Sequence, residues 1–367
     1  MKLLLLAAPG SSHTIKWANS LFELGIEVGI FGLSSMDDKE YYTGIEFEIV
    51  NHNDIALYSD GSLEKISYLK ALPRLMKFIK SFKPDIVHSH YASSYGLLGA
   101  LSRKHPFFIS LWGSDILEYP LKSNFNKWLI SFNLKHADEI FATSRYLANA
   151  ANRYTDKQIR ISPFGVNLTQ FKPALYDSDL NFGNVNFVIG TIKSLEQVYG
   201  IDILIKAFSI LKKRNPAKQF MLLIVGEGTQ RQNLQNLVIE LGLQDCVEFK
   251  GYIQPSGILE YLNQINIFVN LSRRESFGVS VVEALACNIP VVATSVGGLP
   301  EIVVHDQCGI LVEPENIQQT AAAIESLVLD RNKRREFGKK GRARVEELYD
   351  WRKNIQTVLN VYKNYAK

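Results

Sequence analysis

Cysteine is scarce in this 367-residue chain, with only Cys246, Cys287 and Cys308. Three thiols cannot build a disulfide framework, and no CxxC or Cys/His cluster suggests a structural zinc. Charge of one sign is also missing. The formal net charge is +4, with 19 Lys/Arg against 16 Asp/Glu before Pro173 and 22 against 21 from there on. Neither part carries the dense basic field of a nucleic-acid binder. No apolar run reaches the ~20 residues that a membrane span requires. The opening Met1-Lys2-Leu3 to Ala8 is too short for a secretory leader and reads as a first buried strand. These absences point to a reducing, cytoplasmic setting.

What is present is an ordinary globular composition, 46% hydrophobic and 21% charged, in a chain long enough for two cores. Short apolar runs alternate with helical patterns, the signature of parallel sheets built from βαβ units. In the first half the strands read Leu3–Ala7, Val28–Phe31, Ile86–His88, Phe107–Leu111 and Glu139–Ala142. The second series reads Phe187–Gly190, Phe220–Val225, Val247–Phe249, Ile267–Asn270, Val291–Thr294 and Ile310–Val312. The polar stretch 171–186 reads as a linker. The expected domains are 1–172, 173–348 and a terminal helix, 349–367, packing back on the first. Two Rossmann-like domains of this kind would face each other across a cleft, with ligands at the carboxyl ends of the strands.

The most informative stretch is Ile267-Phe268-Val269-Asn270-Leu271-Ser272-Arg273-Arg274-Glu275-Ser276-Phe277-Gly278-Val279, continuing to Glu283. A buried strand enters a turn, and a helix begins near Gly278. The free amides and positive dipole of that helix end suit a phosphate. Glu283, about one and a half turns in, can accept two hydrogen bonds from a vicinal diol such as a ribose. An isolated pair of glutamates would read as solvated surface. This pair is joined by two further strand-end glycine turns, Gly226-Glu227-Gly228 and Gly297-Gly298-Leu299-Pro300-Glu301.

Together these elements resemble the donor domain of retaining glycosyltransferases of family 4, which have the GT-B fold. The matching pieces are Pro163-Phe164-Gly165-Val166-Asn167 with Phe171 and Pro173, Gly190 to Gly200 followed by Ile201-Asp202-Ile203, the three glycine turns, the Glu-x7-Glu element, and Gly309-Ile310-Leu311-Val312. The resemblance implies that Glu283 holds the ribose and Glu275 the donor sugar, with Gly226, Ser276, Phe277, Gly278 and Val279 at the donor. Two cations usual in the family are absent, since Thr191 follows Gly190 and Val198-Tyr199 precede Gly200. Lys193 is the only basic residue in that loop and takes the phosphate role, with Arg273 or Arg274 as a second charge.

In the first half, Pro9-Gly10-Ser11-Ser12-His13 is a turn that the family uses near the donor, which assigns Gly10. His13, His90 and Asp115 are assigned to the sugar or acceptor side, with Asp115 as a catalytic candidate beside Glu275 and Lys193. An Asp at a helix start is also an ordinary N-cap. Many relatives have His where Trp112 stands. Asp177-Ser178-Asp179 imitates a metal-binding DxD but lies in the linker, and the family usually works without metal; no cofactor is expected.

The expected activity is transfer of a sugar from a nucleoside diphosphate sugar, UDP before GDP, to an acceptor hydroxyl with retention. The acceptor would be a saccharide or lipid-linked molecule, in surface polysaccharide or other glycoconjugate synthesis. Alternatives are a nucleotide-sugar epimerase of related architecture and a non-catalytic nucleotide-sugar-binding protein. A dinucleotide-dependent oxidoreductase would need a full glycine fingerprint, which neither half has. Lys70, Arg74, Lys77, Lys80 and Lys83 recur around Leu69, Leu72, Met76 and Ile79, a pattern open to two readings. One is the wet face of a core helix, interrupted at Pro73; the other is peripheral contact with the inner face of a membrane.

Overall fold

The computed structural model of the chain describes residues 1–34, 41–50, 64–173 and 187–366. It divides into two compact units, Met1–Pro163 with Lys353–Lys367, and Phe164–Arg352. The division falls nine residues ahead of the expected boundary at 172/173, for a physical reason. Phe164 sets its ring against Phe277, 6.0 Å between centroids, and Val166 accepts and donates backbone bonds with Trp351 and Tyr349 at 3.1 and 2.8 Å. The segment therefore packs as part of the second unit before the linker begins. Asp177-Ser178-Asp179 lies outside the described residues.

The first unit is a seven-stranded parallel sheet of β1 (Lys2–Leu6), β2 (Glu27–Gly32), β3 (Glu46–Ile49), β4 (Ile86–His90), β5 (Phe107–Leu111), β6 (Glu139–Ala142) and β7 (Ile159–Ile161), in the order β3-β2-β1-β4-β5-β6-β7. The second is a six-stranded parallel sheet of β8 (Phe187–Ile192), β9 (Phe220–Val225), β10 (Val247–Gly251), β11 (Ile267–Asn270), β12 (Val291–Thr294) and β13 (Gly309–Val312), in the order β10-β9-β8-β11-β12-β13. Both orders reverse beside the first strand of the unit, between β1 and β4 and between β8 and β11. Such reversals are where doubly wound sheets open a crevice at their carboxyl ends.

The central strands are legible because parallel strands covered by helices on both faces become continuous apolar runs. Leu3, Leu4, Leu5 and Leu6 are all fully buried, paired in register with Val28–Phe31 and Ile86–Ser89. Strands β3 and β7 escaped the reading. They lie at the sheet edges, partly exposed, and offer no apolar run.

Pro73 corrects another expectation. It does not interrupt a helix over 69–82 but sits in the first turn of a helix Leu72–Phe82, where the missing N–H costs nothing. That helix spends its apolar face, Leu75, Phe78 and Phe82, on the core, leaving Arg74, Lys77 and Lys80 in water. The wet-face reading of this basic stretch is the one its packing supports. The final helix, Trp351–Tyr365, brings the fully buried Tyr362 against the first sheet. Its hydroxyl lies 2.5 Å from His88 Nδ1, and its ring stacks on Phe108 at 5.7 Å.

Candidate active site

In the first unit the carboxyl end of β4 carries an imidazole cluster. His88 is fully buried, with Nδ1 on Tyr362 and Nε2 2.8 Å from Ser110 Oγ. His90 is 1% exposed and packs on Trp112 at 4.6 Å and Trp17 at 5.1 Å. Both its ring nitrogens are buried without a hydrogen-bond partner among the described residues. His13, in the first turn of the helix Ser12–Glu23, meets Trp112 edge-on at 5.6 Å. Burial, with Lys16 nearby, pushes His13 down to about 4, and burial alone takes His88 to about 3. Burial, then the neighbouring His88 and His13, holds His90 well below the usual imidazole range. The cluster is neutral at physiological pH. Gly10 is exposed in the turn after β1.

Asp115 does not fit the catalytic role expected of it. It is 1% exposed, with Oδ2 accepting from Ala92 N at 2.8 Å and Oδ1 from Gly113 N at 2.8 Å and Trp112 N at 3.3 Å. Burial raises its pKa, opposed by these amides. Nor is it an N-cap, since Gly113 holds that position of the helix Ser114–Leu117. The carboxylate ties the loop after β4 to the loop after β5.

In the second unit the strand reversal holds an ion pair. Lys193 directly follows β8, Glu275 lies in the turn after β11, and Lys193 Nζ meets Glu275 Oε2 at 2.5 Å. Their side chains are 17% and 11% exposed, so water screens the pair only partly. Ser272 Oγ lies 3.2 Å from the same carboxylate oxygen and 2.7 Å from Asn270 Oδ1. Thr294 donates to Ser272 O at 2.7 Å, linking the turn to β12. The Lys193 ammonium also sits over the Tyr199 ring, 4.3 Å from its centroid.

The glycine turns explain why two separate loops meet so closely. A Cβ on Gly226, at φ +141°, would stand 1.9 Å from Lys193 O. One on Gly297, at φ +57°, would stand 1.7 Å from Glu275 O, and Gly298 N donates to that same carbonyl at 3.0 Å. Both glycines let one backbone lie on another, so Gly226 acts as a seat for Lys193, where a ligand contact was expected. Gly278 N-caps the helix Val279–Ala286, and its missing side chain makes room for Leu299.

The other expected donor residues sort by burial. Phe277 is 3% exposed, edge-on to Phe164 and Tyr349; it is core. Ser276, Val279 and Glu283 are half-buried, with Glu283 on the Val279–Ala286 helix among buried neighbours. Arg273 is not a spare cation for phosphate. Its guanidinium makes paired 3.0 Å bonds to Asp202 and an ion pair to Glu315, and its amide donates to Val198 O at 2.7 Å. The loop after β8 thus forms a 3-10 turn, Gln197–Tyr199, fastened to the loop after β11.

Two family models match this chain: glycosyl transferases group 1 over residues 176–344, and glycosyl transferase 4-like over residues 2–144. An uncharacterised glycosyltransferase of Methanocaldococcus jannaschii is 29% identical across 93% of this chain and 91% of its own length. A capsular polysaccharide biosynthesis glycosyltransferase of Staphylococcus aureus is 26% identical across 93% and 91%. Among solved structures, Anabaena HepE in complex with UDP is similar in fold, with a TM-score of 0.82, 20% identity, and coverage of 99% of this chain and 100% of that one.

The chain is a group 1, family 4 glycosyltransferase with the GT-B fold.

Of the residues expected in this glycosyltransferase's site, Lys193 and Glu275 are brought into contact, and His13 and His90 share one aromatic cluster with Trp112. Tyr199 and Ser272, which hold the Lys193–Glu275 pair, were missed. An aromatic just before the loop glycine and a small hydroxyl three residues before the glutamate were the available signals. Both residue types are common enough in loops to pass unnoticed.

Proposed function

We propose that this glycosyltransferase moves a sugar from a nucleoside diphosphate sugar, UDP before GDP, to an acceptor hydroxyl with retention of anomeric configuration. The observation that carries the reading is the Lys193–Glu275 pair at the carboxyl ends of β8 and β11. A diphosphate entering there would compete with Glu275 for the ammonium, freeing the carboxylate to accept from sugar hydroxyls. As the bond from the anomeric carbon to the phosphate oxygen breaks, charge on the leaving diphosphate meets Lys193 and the amides at the start of the Val279–Ala286 helix. Glu283 on that helix takes the ribose diol. The presence of UDP in the HepE complex supports a uridine donor. The activity named for the staphylococcal relative supports a product in surface polysaccharide or a related glycoconjugate. The acceptor would be a saccharide or a lipid-linked molecule.

Glu283→Ala is expected to weaken UDP binding about 10- to 100-fold. Glu275→Ala is expected to slow transfer about 100-fold with a smaller change in donor affinity. Calorimetry with UDP and turnover of labelled UDP-sugars read these apart, and wild-type turnover in both variants refutes the assignment. A thermal-shift panel of UDP, GDP and ADP selects the base, because a bound nucleotide raises apparent stability by mass action.

A further inference from the structure

The helix Asn124–His136 of the first unit has two apolar faces. Leu129, Ile130 and Leu134 turn inward with Asn126 and Asn133, and the Ser123 side chain caps its start. On the opposite side Phe125 is 40% and Trp128 58% exposed, with Leu121 at 72% in the turn Tyr119–Lys122 just before. Positions 125, 128 and 132 repeat at helical spacing, so these rings form one stripe, and Leu121 precedes them across the extended residue Ser123. The rings run in series, Phe125 to Trp128 at 5.8 Å and Trp128 to Phe132 at 5.5 Å. Single exposed apolar residues are ordinary; a contiguous stripe of the largest ones is not.

Charge indicates what covers the stripe. From Tyr119 to Ala137 there is no Asp or Glu, while Lys122, Lys127 and Lys135 are exposed. None of the three forms an ion pair among the described residues. Aromatic rings and leucine at a surface rimmed by lysine match the boundary of a bilayer with anionic headgroups. Among the described residues no helix is long and apolar enough to cross a membrane, so contact of this kind is peripheral and reversible. We propose that Leu121, Phe125 and Trp128, flanked by Lys122 and Lys127, dock this enzyme on an anionic lipid surface. The site is separate from the donor residues, and its test does not depend on the transfer reaction.

Trp128 is its own reporter, because Trp17, Trp112 and Trp351 are only 3%, 8% and 6% exposed. The full chain is mixed with vesicles of phosphatidylcholine alone, or with an equal part of phosphatidylglycerol. Tryptophan emission, iodide quenching and co-sedimentation are then followed. The expected result with phosphatidylglycerol is a blue shift, protection from iodide and sedimentation with the vesicles, all reversed by high salt. Trp128→Ala is expected to lose the blue shift and weaken sedimentation about tenfold. Lys122→Gln with Lys127→Gln should weaken sedimentation about 20-fold, with circular dichroism unchanged in both variants. Absence of a vesicle-dependent shift would overturn the proposal, as would undiminished sedimentation of either variant. A blue shift that grows with protein concentration without lipid would assign the stripe to a second copy of the chain and equally overturn it.

Discussion

Acidification to about pH 5 should destabilise the first unit through its buried imidazoles. The imidazoles of His13 and His88 have their pKa values lowered from 6.5 to about 4 and about 3, mainly by burial. In the unfolded chain they take up protons near 6.5, whereas in the folded chain they stay neutral. Stability is therefore complete above pH ~6.5 and is lost as pH falls toward the folded values, because the unfolded state binds the extra protons. By about pH 5 each of the two rings costs roughly 2 kcal/mol, from the 1.36 kcal/mol that one pH unit represents. Together that is roughly 4 kcal/mol, with His90 acting in the same direction, against the 5–15 kcal/mol typical of a folded domain.

Urea unfolding between about pH 7.5 and pH 5 reads the loss, and imidazole nitrogen chemical shifts show whether the rings titrate in the folded protein. His90→Phe separates this effect from general acid sensitivity. It keeps an aromatic against Trp112 and Trp17 while removing two unpartnered nitrogens. The variant is expected to be at least as stable as wild type near pH 7.5 and to lose less stability on acidification. A flat stability profile down to about pH 5, or a His88 ring titrating near 6.5 in the folded chain, would refute the reasoning.

Gly297→Ala places a methyl where Glu275 O stands, 1.7 Å away, at φ +57°. It should cost about 3 kcal/mol in the second unit and abolish most transfer, and wild-type melting with wild-type turnover would refute the seating role. For Asp115, the Ala variant strands three buried amide donors and should destabilise the first unit by about 3 kcal/mol. Asp115→Asn keeps an acceptor and should keep most of its turnover; loss of transfer at unchanged stability would instead restore a catalytic role.

The chain announced its sheets and its family. Buried parallel strands are apolar runs whatever surrounds them, so all eleven expected strands are present with no boundary off by more than two residues, and Phe107–Leu111 and Ile267–Asn270 are among those unchanged. Glu275 and Lys193 were visible as residues at strand ends, 82 positions apart. Their contact was not, because it exists only where the strand order reverses and where Gly226 and Gly297 let four loops lie on one another.

Residues of one type in similar local settings were separated only by their three-dimensional neighbours. Arg273 was a candidate phosphate ligand until Asp202 and Glu315 occupied its guanidinium. Asp115 looked like a site carboxylate until three amides filled its oxygens. Local sequence determines which elements form, since periodicity and glycine placement act over a few residues. Which charges remain available for chemistry is decided by partners distant in the chain, and only tertiary packing chooses those.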